Sequence, residues 1–474
     1  MYKISPHLNI VETNSGKYAY HSLFGNLVKL KNDDYILLKQ LQNNQLILNP
    51  ENDQLEALHN LHFISSSCED DYSLLNTVID KYEQSVKDSH SITKLLLTVT
   101  DKCMLACSYC YVPEAPTGIE INSCNNNPIC KRNSDMTWDV AKQAIDSFAE
   151  IIRENHQKKI HIRFHGGEPL IKYDLIKQSI EYANEIFGNV LVEYHMNTNG
   201  ILMSKEKAEF FVQQNIEIEV SVDGPKEIHD AVRAYPNGKG SYDDAINAVK
   251  ILLDAGFPID RMNYAVTLSS DNLNALPQII DMANEQGIKA IEINTLLFEH
   301  PKDILNLIEE RVSKLVEARI YGTKQGVKVS GKWFKLFERL QQPVINYCGR
   351  IGQQIGVDAN GDIFLCTGLA KTYGTIKEWK KIFYNEEYYI AAMRIVGNIK
   401  ECRGCEIEGM CAGGCIASVI KSYHSLDSAE RKECEFRKRM VKKLIEHHDL
   451  LMGNGIELDE VDKSYVPTID LNTK

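Results

Sequence analysis

Between residues 91 and 320 the chain alternates short apolar runs with helix-length amphipathic stretches. The runs are Leu95–Thr100, Ile160–His165, Val190–His195, Ile216–Val222, Met262–Leu268 and Ala290–Leu296. Helical patterns fall between them at about 137–154, 172–187, 204–214, 242–255 and 273–285, and another follows at 302–319. Ser241-Tyr242-Asp243-Asp244 reads as a capped helix start. Strands joined by helices run parallel, because each connection must cross over. Six such units in a row imply an α/β fold, a parallel sheet curled into a partial (β/α)6 TIM-like barrel. In such folds the reacting groups stand at the carboxyl ends of the strands.

The flanks read differently. Residues 1–90 begin with a strand pair, Lys17–Ser22 and Asn26–Lys31, turned at Phe24-Gly25. Helical stretches at Asp33–Gln42 and Glu51–Leu61, an apolar run at Phe63-Ile64 and a long helix at Tyr72–Lys87 follow. Strands followed by three helices suggest a winged-helix-like unit. Residues 321–474 lose the strand–helix rhythm and gain cysteine. The expected domains are therefore 1–90, 91–320 and 321–474, which suits a 474-residue chain at roughly 150 residues per domain. Val112–Asp135 is an insertion rich in Asn, Pro and Cys, and it reads as a lid.

Net charge is −12, which argues against a nucleic-acid partner, since phosphate backbones call for a concentrated basic patch. The Lys/Arg-rich stretch Arg431–Lys443 reads as a solvated helix face. Met1–Ile10 has no apolar signal core, and no apolar run approaches the ~20 residues of a membrane helix. The expectation is a cytoplasmic protein with no membrane partner. There, 13 cysteines read as metal ligands rather than disulfides.

Three of those cysteines, Cys103, Cys107 and Cys110, follow the first strand directly in a CxxxCxxC run. Thiolates are the soft ligands of iron–sulfur clusters. Three thiolates leave one iron of a four-iron cubane open for a small molecule. A zinc site would more often use CxxC pairs with a fourth ligand close by. Further motifs follow the later strands: Gly166-Gly167-Glu168-Pro169, Asn197-Thr198-Asn199-Gly200 and Ser221-Val222-Asp223-Gly224-Pro225, with Arg233 beyond. Together this set resembles the signature of radical S-adenosylmethionine enzymes over some 200 residues. The resemblance implies that Cys103, Cys107 and Cys110 hold a four-iron–four-sulfur cluster whose open iron chelates S-adenosylmethionine. It implies that Gly166 and Gly167 allow close backbone approach, and that Glu168 meets the methionine ammonium. Tyr109 resembles the aromatic near adenine, and Asn197, Ser221 and Arg233 the groups that grip ribose and carboxylate. Asp223-Gly224-Pro225 reads equally as a turn and as a contact. The chemistry implied is hydrogen abstraction by a 5′-deoxyadenosyl radical.

The C-terminal cysteines form a second array: Cys348, Cys366, Cys402-x2-Cys405-x5-Cys411-x3-Cys415, then Cys434. It resembles the seven-cysteine SPASM domain, a carrier of two auxiliary four-iron–four-sulfur clusters. The resemblance implies that Cys348, Cys366 and Cys415 hold the first and that Cys402, Cys405, Cys411 and Cys434 hold the second, three clusters in all. A zinc ribbon of Cys402, Cys405, Cys411 and Cys415 is the alternative. Two closed cubanes need eight thiolates and the motif supplies seven, so the first auxiliary cluster is expected to have an open iron. Cys68, Cys124 and Cys130 read as free or packed thiols rather than the missing ligand.

Radical S-adenosylmethionine proteins with a SPASM domain mostly modify peptides or proteins. The resemblance to maturases of ribosomal peptides, such as sactipeptide and ranthipeptide synthases, implies a precursor peptide with a leader as substrate. It also implies an external one-electron reductant of flavodoxin or ferredoxin type. The N-terminal unit resembles leader-binding elements that add a peptide as a strand. The expected product is a thioether or carbon–carbon cross-link. The alternatives are an anaerobic sulfatase-maturating enzyme and a non-catalytic iron–sulfur electron carrier. Sulfatase maturases place an Asp base after the second SPASM cysteine, where this chain has Thr367. No general base is identified; Asp358 and Asp362 are near in sequence only.

Overall fold

A computed structural model of the chain describes residues 2–43, 52–65, 71–110, 134–295, 301–369 and 371–452. Cys68, Cys124, Cys130 and most of the expected lid lie outside the described residues.

The N-terminal unit opens with a short strand β1 (Lys3–Ile4), then an antiparallel meander of β2 (Leu8–Thr13), β3 (Gly16–His21) and β4 (Gly25–Leu30). Helices α1 (Asn32–Gln42) and α2 (Asn52–Asn60) follow, then β5 (Ile64–Ser65), which pairs with β1, and α3 (Asp71–Lys87). The meander has one strand more than expected. In β2 the polar Asn9, Glu12 and Thr13 interrupt the apolar pattern, so periodicity alone did not expose it. Both faces of this sheet are buried. Ala19, Val28 and Leu30 join Leu37, Leu38, Leu58 and Phe63 in a small core of their own. Tyr18, Tyr20 and Leu27, on alternate positions, join the main core instead. The unit is therefore built into the body of the molecule.

The main sheet has ten strands in the order β12-β11-β10-β9-β8-β7-β6-β13-β14-β15. Its centre is β6 (Lys94–Thr100), β7 (Lys159–Gly166), β8 (Leu191–Thr198), β9 (Ile216–Ser221), β10 (Met262–Leu268) and β11 (Ala290–Thr295). These six strands are parallel neighbours in sequence order, as the strand–helix rhythm predicts. Helices α4 (Trp138–Glu154), α5 (Tyr173–Phe187), α6 (Lys205–Val212), α7 (Lys226–Val232), α8 (Tyr242–Asp254), α9 (Leu276–Glu285) and α10 (Pro301–Gln325) provide the crossovers. β12 (Lys328–Ser330) ends the sheet on one side, so the barrel stays open. α8 starts where expected, but the Ser241 hydroxyl does not cap it; Asp230 Oδ1 accepts the Tyr242 amide at 2.8 Å instead.

After α11 (Lys332–Glu338), β13 (Gln354–Val357) joins the other side of the sheet, parallel to the first barrel strand β6. β14 (Asp362–Phe364) and β15 (Thr372–Thr375) extend it antiparallel. Then come α12 (Glu386–Ala392), α13 (Glu408–Cys411), α14 (Ile416–Tyr423), α15 (Arg431–Glu446) and α16 (His448–Met452). α15 departs from the expected solvated face. Its Met440, Val441, Leu444 and Ile445 are buried, and so is Arg437. No helix among the described residues is long and apolar enough to cross a membrane.

The N-terminal unit docks on the loop that carries Cys402–Cys411. The Gly409 amide donates to Ser22 O at 2.7 Å, and Tyr72 Oη donates to Glu408 Oε2 at 2.8 Å. A Cβ at Gly409 would lie 2.2 Å from Leu23 O, a backbone atom that has no rotamer with which to retreat. Gly409→Ala is therefore expected to cost about 1–3 kcal/mol of stability by overpacking. Chemical denaturation measures that cost, and limited proteolysis should show residues 1–90 released first.

Candidate cofactor and cluster sites

The cysteine triplet stands at the carboxyl end of β6. Its loop is stapled to the end of α7: the Ala106 amide donates to Ala234 O at 2.8 Å and the Ser108 amide to Val232 O at 3.0 Å. Burial pushes the Cys103 thiol up to about 12, and the nearby Glu168, Cys107 and Cys110 push the same way. Cys107 is also raised by burial, against the pull of Arg233. The three thiols are thus close neighbours, and Cys103 and Cys107 keep their protons until a cation replaces them.

Gly166 and Gly167 explain how that loop is held. A Cβ on Gly166 would lie 2.2 Å from Thr100 O, and one on Gly167 would lie 2.4 Å from Lys102 O. The Gly167 amide donates to Thr100 O at 2.9 Å, and the Glu168 amide to Lys102 O at 2.8 Å. The close approach these glycines permit is to the chain's own cysteine loop.

Glu168 is fully buried. Oε1 accepts the Leu170 amide at 3.0 Å and the Thr198 hydroxyl at 2.6 Å, while Oε2 accepts the Asn199 amide at 2.8 Å. Burial raises its pKa against those three bonds. A carboxylate has about four acceptor positions; three are filled, and one on Oε2 remains for a cation. Asn199 extends the link, with Nδ2 3.7 Å from Cys103 Sγ. By resemblance the motif points to Asn197 rather than Asn199. The signal for Asn199 was present in the same Asn197-Thr198-Asn199-Gly200 run, but only the strand end distinguishes the two.

Arg233 and Tyr109 converge on Asp223. Arg233 Nε donates to Asp223 Oδ2 at 2.7 Å, the Tyr109 hydroxyl donates to the same oxygen, and the Thr267 amide donates to Oδ1 at 2.7 Å. Asn272 Nδ2 donates to Asp223 O at 3.0 Å. The Arg233 guanidinium lies 5.4 Å from the centre of the Tyr109 ring. Asp223 is therefore more than a turn residue: it is the buried anion of this corner. Its partners come from β6, α7 and β10 segments that no local motif connects. Ser221 is half-buried at the end of β9, beside Ala265 of β10.

Asn197 points elsewhere. Its Oδ1 accepts from Arg163 and its Nδ2 donates to Glu219 Oε2. Glu219 Oε1 also meets His195 Nε2 at 3.1 Å. Burial opposes the charge on Glu219, but His195, Arg163 and Asn197 outweigh it and hold the carboxyl down at about 2. The barrel interior is thus polar, unlike the branched apolar layers that fill an ordinary TIM barrel.

The seven C-terminal cysteines fall into two neighbourhoods. Cys366 lies within electrostatic reach of Cys348 and Cys415. Cys402 lies within reach of Cys411, Cys434 and Cys405. Burial and neighbouring cysteines push Cys402 up to about 12 and Cys434 up to about 11. At Cys348 burial is outweighed by Lys332 and Arg350, which hold that thiol below its usual value. Buried Arg394 donates to Gly413 O at 2.6 Å and Gly414 O at 3.2 Å, bracing the turn between Cys411 and Cys415. Arg437 approaches Cys411 Sγ at 3.9 Å. Among the described residues, no three Cys, His, Asp or Glu side chains gather tightly enough to hold a single metal ion. A cubane makes a different demand, with its thiolates on separate irons.

Two outcomes are expected. Asp223→Ala strands the Arg233 cation in the interior, which should cost about 3–5 kcal/mol in chemical denaturation and lower the iron retained by the triplet. Glu219, held below its ordinary 4.5, stabilises the fold above that pH and loses its effect as pH falls towards 2. The contribution is on the order of 3 kcal/mol; Glu219→Gln should flatten this acid limb in pH-dependent unfolding.

A model of the radical SAM superfamily matches residues 97–283. The radical SAM cyclopropyl synthase TigE of Paramaledivibacter caminithermalis is 23% identical over 96% of this chain and 98% of its own length. An uncharacterized protein of Methanocaldococcus jannaschii is 31% identical, over 61% of this chain and 90% of its own. Among solved structures, native anSMEcpe with bound AdoMet aligns with a TM-score of 0.60 at 18% identity, covering 76% of this chain and 98% of that one. Streptococcus suis SuiB bound to precursor peptide SuiA aligns with a TM-score of 0.52 at 16% identity, covering 90% and 98%. Three converging thiols at a strand end, with a buried carboxylate beside them, suit a four-iron–four-sulfur cluster and S-adenosylmethionine. The chain is an enzyme and belongs to the radical SAM superfamily.

Proposed function

We propose that this enzyme matures a ribosomal precursor peptide, taking a hydrogen from it and closing a thioether or carbon–carbon cross-link. The observation that carries this reading is the end-to-end match to the cyclopropyl synthase, which takes in the N-terminal unit and the cysteine-rich region as well as the barrel. SuiB, of the same fold and bound to a precursor peptide, adds support. Thr367, in place of the Asp base expected of a sulfatase maturase, counts against that alternative.

The roles follow the three proposed domains, 1–90, 91–320 and 321–474. β2 is an edge strand of the N-terminal meander, and a leader peptide would add to it by main-chain pairing. In the barrel, Cys103, Cys107 and Cys110 would hold the cluster, with Glu168, Asn199, Tyr109, Arg233 and Ser221 framing the cofactor. When bound, cluster and cofactor supply the carbon radical that abstracts hydrogen. The protein's own share is to bind, orient and exclude water. Cys348, Cys366 and Cys415 would hold a first auxiliary cluster with one open iron, and Cys402, Cys405, Cys411 and Cys434 a second. A cytoplasmic flavodoxin or ferredoxin would deliver the electrons.

Anaerobically reconstituted protein is expected to bind about twelve irons, the sum of three cubanes. About four would overturn the auxiliary assignment. With cofactor, reductant and the short peptide encoded beside its gene, intact mass should fall by about two hydrogens (~2 Da), the loss that one cross-link requires. Unchanged peptide mass, with the cofactor cleaved, would argue for epimerisation instead.

A further inference from the structure

The barrel wall carries polar atoms that the described residues leave without a hydrogen-bond partner. They include Thr98 Oγ1 on β6, His195 Nδ1 on β8, Asn263 Oδ1 on β10 and Gln354 Nε2 on β13, all buried. The strand register puts all four on one face of the sheet. Thr98 lies beside His165, two residues beyond Arg163, and Arg163 lies beside His195. Asn197, two residues beyond His195, lies beside Glu219, and Glu219 beside Asn263. Gln354 lies beside Lys94, four residues before Thr98. The other face packs under helices: Tyr194, next to His195, sends its hydroxyl to Ile180 O of α5 at 3.3 Å. The four atoms therefore face into the barrel. A buried polar atom left unpaired is costly, so this wall suits a polar occupant such as a peptide segment.

His195 is the one of the four that also holds a charged partner. Its Nε2 meets the ionised Glu219 carboxylate at 3.1 Å. A carboxylate only accepts, so Nε2 donates to it, and the neutral imidazole then keeps its lone pair on Nδ1. A carboxylate that orients an imidazole, with the second nitrogen open, is the arrangement of a general base.

Its place in the barrel suits that role. His195 stands three residues before the end of β8 at Thr198, which at ~3.3 Å per residue puts it about 10 Å deeper than the strand end beside Asn199, the neighbour of Cys103. On the neighbouring strand β7, two residues nearer the carboxyl ends, His165 lies within electrostatic reach of both His195 and Arg350, and Arg350 within reach of Cys348 and Cys366.

We propose that His195, oriented by Glu219, is the catalytic residue that accepts the substrate's proton. This rests on the cross-linking reading above. Closing one cross-link removes two hydrogens. One leaves as an atom to the cofactor's carbon radical, giving 5′-deoxyadenosine. The other leaves as a proton to His195 Nδ1, and its electron goes to an oxidised iron–sulfur cluster as the new bond forms. The resulting imidazolium is held against Glu219.

The test runs the reconstituted full chain with cofactor, reductant and the peptide encoded beside its gene, and measures 5′-deoxyadenosine and cross-linked peptide together. In His195→Gln and Glu219→Gln, 5′-deoxyadenosine should persist while cross-linked peptide per 5′-deoxyadenosine falls about 100-fold, the lower end for loss of a general base. Imidazole added to His195→Gly should restore part of that ratio. An unchanged ratio in His195→Gln would overturn the proposal. So would a parallel fall of both products without imidazole rescue, which is what a structural role gives. Wild-type protein that leaves the peptide's mass unchanged would instead overturn the cross-linking reading on which the proposal stands.

Discussion

The Asp223–Arg233 ion pair is the interaction on which the site depends. Both groups are buried, so neither charge is tolerable alone. Their pairing is supplemented by the Tyr109 hydroxyl and the Thr267 amide, which fill two further positions on the carboxylate. Arg233 is also the residue between Val232 and Ala234, whose carbonyls accept the amides of Ser108 and Ala106. Fixing Arg233 therefore fixes the backbone that staples the cysteine loop. On the opposite side the same loop is held by the Gly166–Gly167 ladder to Thr100 and Lys102. Two unrelated constraints converge on eight residues, Cys103 to Cys110, and that is what lets three thiols be aimed from a loop rather than from a strand.

The polar barrel interior is the second constraint, and it shapes how the fold is stabilised. Without an apolar plug inside the barrel, burial must come from outside the sheet. Ile160, Ile162, Phe164, Val192, Tyr194 and Met196 alternate with the interior residues and pack against the helices. Inside, Arg163, Asn197, Glu219 and His195 are linked to one another, with His195 Nδ1 left open. Such a network is rigid when complete, because every missing partner is costly in a low-dielectric interior. The atoms it leaves open are accordingly informative about what the barrel is built to receive.

Alternation of apolar runs with amphipathic stretches made the six barrel strands legible, since each helix has one buried stripe and each strand one wholly apolar face. Met262–Leu268 falls on the expected bounds, whereas β8 runs on to Thr198 because its interior residues are polar and hide the strand's end. β12 and β14 are three residues each, too short to carry a period. The cysteines and the Gly166-Gly167-Glu168-Pro169 run were legible as motifs. Asp223 and His195 were not, because their meaning comes from Thr267, Asn272 and Glu219, groups contributed by other strands. Burial of a charge and completion of its partners are properties of the assembled sheet. A single segment carries only half of each pair.

The N-terminal unit completes the logic of the assembly. Tyr72 on α3 and the Gly404 amide both donate to Glu408 Oε2, and the Gly397 amide donates to Oε1. Glu408 is buried, and burial raises its pKa against these bonds. One carboxylate thus ties the helix that follows the meander to both ends of the loop bearing Cys402 and Cys405. Gly409 N, one residue on, pairs with Ser22 O at the end of β3. A displacement of β3 or α3 would break hydrogen bonds that shape the cysteine loop. Packed interfaces of this kind rearrange in discrete steps rather than bending continuously.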